Sequence, residues 1–219
     1  MIRVACILCP VDFSEFSRRA LDHASALARW YGARLSVLHV VVSRPAVDFP
    51  PMPMTDEERR ELTGQMRRFA TGVPPEVALD LRVREASDVH REILSQAETL
   101  PADLLVVGSH GRSGFERLLL GSVTEKIIRK AACPTLVVPR LGPDRAPEEP
   151  VQFRRILCPV DFSDASMHAL RYTLSLAEQA GGAEMTLLHV IEVPPELRAN
   201  PLAEGFDISP AIEFLRALS

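Results

Sequence analysis

The sequence predicts an α/β fold, a doubly wound five-stranded parallel sheet followed by a partial second copy of the same unit. Three observations carry this. Short apolar runs rich in Val, Ile and Leu alternate with amphipathic stretches of helical period, the pattern of strands buried on both faces between crossover helices. The string ILCPVDFS occurs twice, at residues 7–14 and 156–163. The match also extends beyond that string. Ala20 and Leu21 correspond to Ala169 and Leu170, Leu27 and Ala28 to Leu176 and Ala177, and Gly32 to Gly181. After one inserted residue, SVLHV at 36–40 corresponds to TLLHV at 186–190.

Taken in order, the first copy opens with a buried strand ending at Pro10, then a helix starting near Ser14 and closed by Gly32, then a second buried strand ending in His39 and Val40. The proline- and methionine-rich stretch at 43–54 reads as a surface loop. A helix is expected over 56–70, a strand over 77–85, a helix over 87–100 and a buried strand over 102–108. A helix over 123–132 and a last strand over 134–140 complete the unit. The stretch LGPDRAPEEP, 141–150, reads as a linker, so 1–140 forms the complete unit and 151–219 a β-α-β-α part of a second. Two parallel strands bury too little apolar surface to stand alone. The second unit is therefore expected to dock on the first or on another chain, or to belong to a truncated form.

Composition narrows the function. The 219 residues are 47% apolar and 25% charged, and no apolar run approaches the ~20 residues that span a bilayer, so no membrane is expected. A net charge of −4 gives no electrostatic reason for a nucleic-acid partner. The opening MIRVACILCPVDFSE turns polar too early for a secretion signal, and a cytoplasmic location is expected. Cys6 and Cys9 form a CxxC, but in a strand residues three apart face opposite ways, so both are expected in the packed core.

Ligands of open α/β sheets bind beyond the carboxyl ends of the strands, where the strand order reverses. Residues after strands are therefore the informative ones: Pro10, Val11 and Asp12 after the first, the stretch His39 to Pro45 after the second, and the run Gly108, Ser109, His110, Gly111, Arg112, Ser113, Gly114 after the fourth. Three glycines let the backbone turn tightly and let an anion approach its amides. Gly121 and Ser122 then open a long helix whose first turn offers N–H groups and positive dipole to phosphate, and His110 and Arg112 could add charge-assisted contacts. Simpler roles exist for some of these residues. Ser122 to Glu125 and Asp12 to Glu15 both have the form of a capping box, making Ser122 and Asp12 candidate N-caps. His39 and His189, at strand ends, read as structural. The chain has no GxxxxGK[ST], GxSxG or HExxH motif, and no evident carboxylate or glutamine is placed to orient a hydrolytic water.

PVDFSE after the first strand, VLHV and LLHV ending the second, and VVGSHGRSGFERLLLGSVTEKIIRKAACPTLVVP together resemble the universal stress protein family, over nearly all of 1–140 and on through 151–219. The resemblance implies a Rossmann-like sheet of the adenine nucleotide alpha hydrolase type. Its nucleotide-binding branch carries GxxG, nine residues, then Gly-Ser or Gly-Thr, and Gly108, Gly111 and Gly121-Ser122 fit that spacing. It further implies ATP, with Mg2+ as its accompanying ion. Asp12 and Val40 would hold the adenosine part, and Gly108 to Gly114 with Ser122, Val123 and Thr124 the phosphates. Pairing through the last strand, as a homodimer or a pseudo-dimer within a tandem chain, is also implied. The function expected is an ATP-binding stress-response regulator with one site per chain, the alternatives being a slow ATPase or a dimerising module with a vestigial site. Asp161 repeats Asp12 without a glycine loop in its own unit, and is expected to serve only as a helix cap.

Overall fold

The computed structural model describes residues 2–43, 53–111, 120–139 and 151–190. The first copy forms β1 (Cys6–Pro10), α1 (Glu15–Tyr31), β2 (Arg34–Val42), α2 (Asp56–Phe69), β3 (Leu79–Ala86), α3 (Val89–Thr99), β4 (Leu104–Gly108), α4 (Ser122–Lys130) and β5 (Thr135–Val138). All neighbouring strands run parallel, in the order β3-β2-β1-β4-β5. The order reverses between β1 and β4, where Ile7 pairs with Leu104 and Leu8 with Leu105. Every element expected of this unit is present, with ends shifted by a few residues. The expected loop at 43–54 falls mostly outside the described residues, as do the linker at 141–150 and everything after residue 190.

The sheet separates two cores. On one face α1 and α2 cover Ile7, Cys9, Leu35 and Val37; on the other α3 and α4 cover Cys6, Leu8, Leu38 and Leu105. Cys6 and Cys9 lie in opposite cores, as strand alternation requires, and both are free thiols. Burial and the nearby Asp22 carboxylate push the Cys9 thiol far above its ordinary range.

Two N-caps differ from the candidates, although α1 starts near Ser14 as expected. The N-cap of α1 is Ser14, in extended conformation with its hydroxyl accepting from Ser17 N, and not Asp12. Phe13 between them is left-handed, φ 65°, so the chain turns there and Ser14, not Asp12, meets the first helical amides. The N-cap of α4 is Gly121, with no side-chain cap bond, and Ser122 is already the first helical residue. That helix is also short, 9 residues.

The second copy contributes β6 (Arg155–Pro159), α5 (Asp164–Gln179) and β7 (Glu184–Leu188), a two-stranded parallel sheet. It touches the first copy along α1. Tyr31 and Ser175 hydroxyls lie 3.2 Å apart, the Tyr172 hydroxyl donates to Asp103 O at 3.4 Å, and Trp30 and Phe153 meet edge to face at 6.0 Å. Helix α5 covers one face of β6 and β7 around Cys158, Val160 and Leu170. On the other face Leu157 is 61% exposed, whereas its counterpart Leu8 is fully buried beneath α3 and α4.

Candidate functional site

The turn after β1 is built by its own short polar residues. The Val11 amide continues the parallel ladder to Leu38 O at 2.8 Å. The Asp12 amide donates to Ser17 Oγ at 3.3 Å. Asp12 Oδ1 accepts from the Ser14 amide at 3.1 Å and the Ser14 hydroxyl at 2.5 Å, an Asx turn spanning Phe13. The Phe13 ring lies 4.5 Å from His39 and 5.4 Å from Phe69, so aromatic packing holds a conformation that a phenylalanine would otherwise avoid.

Opposite this turn stands the start of the loop after β4. A Cβ at Gly108 would lie 2.9 Å from Phe16 O, so only glycine lets β4 end against α1. A Cβ at Gly111 would lie 2.8 Å from Asp12 Oδ2, so the missing side chain is what lets the carboxylate reach the loop backbone. Gly121 N donates to Ser109 O at 2.8 Å and Thr124 Oγ1 to Gly108 O at 2.8 Å, which ties the first turn of α4 to the end of β4. The first intrahelical bond of α4 is Glu125 N to Gly121 O. The amides of Ser122, Val123 and Thr124 therefore have no acceptor within the helix, and all three residues line the same cavity.

That cavity, about 680 Å³, opens at the carboxyl ends of β1, β2 and β4, within the ordinary range of small-molecule sites. Of the expected site residues, Pro10, Val11, Asp12, Val40, Gly108, His110, Gly111, Gly121, Ser122, Val123 and Thr124 line it. Ser109 does not. It is 5% exposed, its amide donates to Val138 O and its hydroxyl meets His110 Nδ1 at 3.1 Å, so it supports the loop. Arg112, Ser113 and Gly114 lie outside the described residues. His39, Val41 and Val42, from the stretch after the second strand, also line the cavity, whereas sequence reasoning missed Ser17 and the apolar wall added by Val89 and Ile93. The cavity thus brings together a carboxylate, a helix N-terminus and an aliphatic wall.

The Universal stress protein family profile matches residues 6–139 and 152–216, both copies of the repeat. The chain belongs to the universal stress protein family. A universal stress protein of Methanocaldococcus jannaschii is 32% identical over 139 residues, covering 60% of this chain and 80% of that protein. One of Thermus aquaticus is 37% identical over 138 residues, covering 60% of this chain and 96% of that protein. A solved universal stress protein from Archaeoglobus fulgidus superimposes with TM-score 0.62 at 22% identity, over 98% of this chain and 73% of that one, a likeness of fold.

In this universal stress protein the second copy rebuilds the first turn almost atom for atom. Asp161 Oδ1 accepts from the Ser163 amide at 3.0 Å and hydroxyl at 2.6 Å, the Asp161 amide donates to Ser166 Oγ at 3.3 Å, and Phe162 is left-handed at φ 63°. The N-cap of α5 is Ser163, so Asp161, like Asp12, braces the cap residue instead of being it. The Ser163 hydroxyl, with those of Ser166 and the Ser163 amide behind it, holds the Asp161 carboxyl well below the usual carboxylate range.

Proposed function

We propose that the first unit binds ATP, one molecule per chain, and acts as a nucleotide-dependent stress-response regulator. The observation that carries this is the set of groups that line one cavity. Three amides of the α4 first turn and the glycine backbone at 108 and 111 attract an anion, whereas Asp12 repels one and accepts from hydroxyl or amino donors. A nucleotide carries partners for both, phosphate oxygens for the amides and ribose hydroxyls or base donors for the carboxylate. Its phosphates would lie at Gly108, His110 and Gly111, with Ser109 bracing that loop from behind and Arg112, Ser113 and Gly114 as further phosphate contacts, and against Gly121, Ser122, Val123 and Thr124. Its ribose or base edge would face Asp12 beside Pro10 and Val11, and the purine would rest on Val40 and the neighbouring aliphatic wall.

Glycine at 108 and 111 is required by packing, because a Cβ would displace the Phe16 backbone or the Asp12 carboxylate, and Gly111 thereby keeps Asp12 in the cavity. Mg2+ would travel on the phosphates, since among the described residues no three His, Cys, Asp or Glu side chains converge. Hydrolysis, if any, would be slow. Among the described residues the one carboxylate lining the cavity is committed through Oδ1 to Ser14 and lies against Gly111 through Oδ2, and no second acid or glutamine lines it to orient a water. Residence in the cytoplasm and pairing through β5, between chains or within a tandem chain, complete the proposal. Among the described residues no helix is long and apolar enough to cross a membrane.

A thermal shift tests the binding. A ligand held only by the native state raises stability by RT ln(1 + [L]/Kd), about 2.7 kcal/mol at a hundredfold excess over Kd. Millimolar ATP should raise the melting temperature by several degrees. No shift would refute nucleotide binding.

A further inference from the structure

The peptide plane joining Val11 to Asp12 is gripped from both sides. Its N–H donates to Ser17 Oγ at 3.3 Å, and its carbonyl meets His39 Nδ1 at 2.8 Å. A carbonyl only accepts, so His39 must carry its proton on Nδ1, in either charge state. The Val11 amide is already bonded to Leu38 O, one residue before His39. The imidazole therefore adds one more rung to the β1–β2 pairing, made by a side chain, beyond the point where the backbone ladder ends. The same ring packs on the left-handed Phe13 that follows Asp12.

The duplicated segment repeats this device. His189 Nδ1 lies 2.7 Å from Val160 O, Val160 N donates to Leu188 O at 2.8 Å, and the His189 ring lies 4.7 Å from Phe162. The second turn adopts this geometry although none of the described residues places a glycine-rich loop against Asp161. The turn is thus shaped by its histidine and serines, not by the opposing phosphate loop.

We propose that His39 is a positioning residue of the nucleotide site: by holding the Val11 carbonyl it fixes the Asp12 carboxylate in the cavity. The proposal rests on the nucleotide reading above for its functional consequence and on the geometry alone for its structural one. His39→Leu keeps the bulk and removes the donor, whereas His39→Asn restores a donor near the Nδ1 position. His189→Leu deletes the same bond in the second copy. Two measurements are needed, hydrogen exchange of the Asp12 and Ser14 amides without ligand, and calorimetric titration with ATP.

His39→Leu should expose the Asp12 and Ser14 amides to faster exchange and weaken ATP binding about tenfold, the worth of one buried hydrogen bond. His39→Asn should restore most of both, and His189→Leu should speed exchange at Asp161 while leaving ATP affinity unchanged. Unaltered exchange at Asp12 in a folded His39→Leu protein overturns the proposal, whether or not ATP binds. Altered exchange with ATP affinity within twofold of the parent protein overturns it too. If the parent protein binds no ATP, the nucleotide reading fails and the exchange data alone decide the positioning role.

Discussion

Single residues set the site because the backbone comes closest where side chains are absent. Gly108→Ala would press a methyl group against Phe16 O, at 2.9 Å. Overpacking of this kind costs about 1–3 kcal/mol, to be read from the urea midpoint. Gly111→Ala should be milder for the fold, since the atom it meets is the end of the Asp12 side chain, but should weaken ATP binding because that carboxylate must move. At Asp161 the hydroxyl contacts depress the pKa, so the carboxylate favours the native state at neutral pH. The sign follows from linkage: a folded pKa below the unfolded one contributes stability above the unfolded value, and loses it as pH falls through the folded value. Carbon-detected NMR titration should show Asp161 ionised well into the acid range, and Ser163→Ala should bring its pKa up toward the ordinary carboxylate value. At this scale the sequence was informative where chemistry forbids alternatives. Glycines at 108, 111 and 121 are visible as such, and the repeated aspartate marks the strand-end turn. The N-cap was misplaced because Asp12 to Glu15 satisfies the capping-box pattern by letters, and nothing in a phenylalanine announces a left-handed φ. His39 was legible as structural, but not as the residue holding Val11, since that contact joins segments 28 residues apart.

Elements position these residues. The crossover order places the ends of β1 and β4 side by side and brings the first turns of α1 and α4 to the same end of the sheet. Strand and helix order was readable from hydrophobic period, since buried parallel strands give continuous apolar runs that amphipathic helices do not. The aliphatic wall was not. Val89 and Ile93 sit in the apolar stripe of α3, and in the sequence a stripe residue that faces a cavity is indistinguishable from one that faces the core. Thr124 joins α4 to β4 through Gly108 O, so Thr124→Val should leave that carbonyl without its partner. A loss of about 1–3 kcal/mol is expected, with weaker ATP binding as the helix start drifts, measured by urea unfolding and titration.

Across the whole molecule, duplication gives two turns of one geometry with unequal surroundings. Asp12 faces Gly111 and the start of α4. Asp161 has the same serines and the same left-handed phenylalanine, on a sheet whose second face is largely open at Leu157. The second copy leans on α1 through Phe153 and Ser175 and on Asp103, just before β4, through Tyr172. The sequence left its docking open, because the contacts are a few aromatic side chains with no periodic signature. Phe153→Ala should loosen this seat by about 1–2 kcal/mol, seen as earlier exchange of α5 amides, while ATP binding in the first unit persists.

Calorimetric titration of ATP into the whole chain tests the central claim most directly, with Asp12→Ala and Asp161→Ala alongside. One molecule of ATP should bind per chain, weakened at least tenfold by Asp12→Ala and unchanged by Asp161→Ala. Absence of binding at millimolar ATP, two sites per chain, or equal losses in the two variants would contradict it.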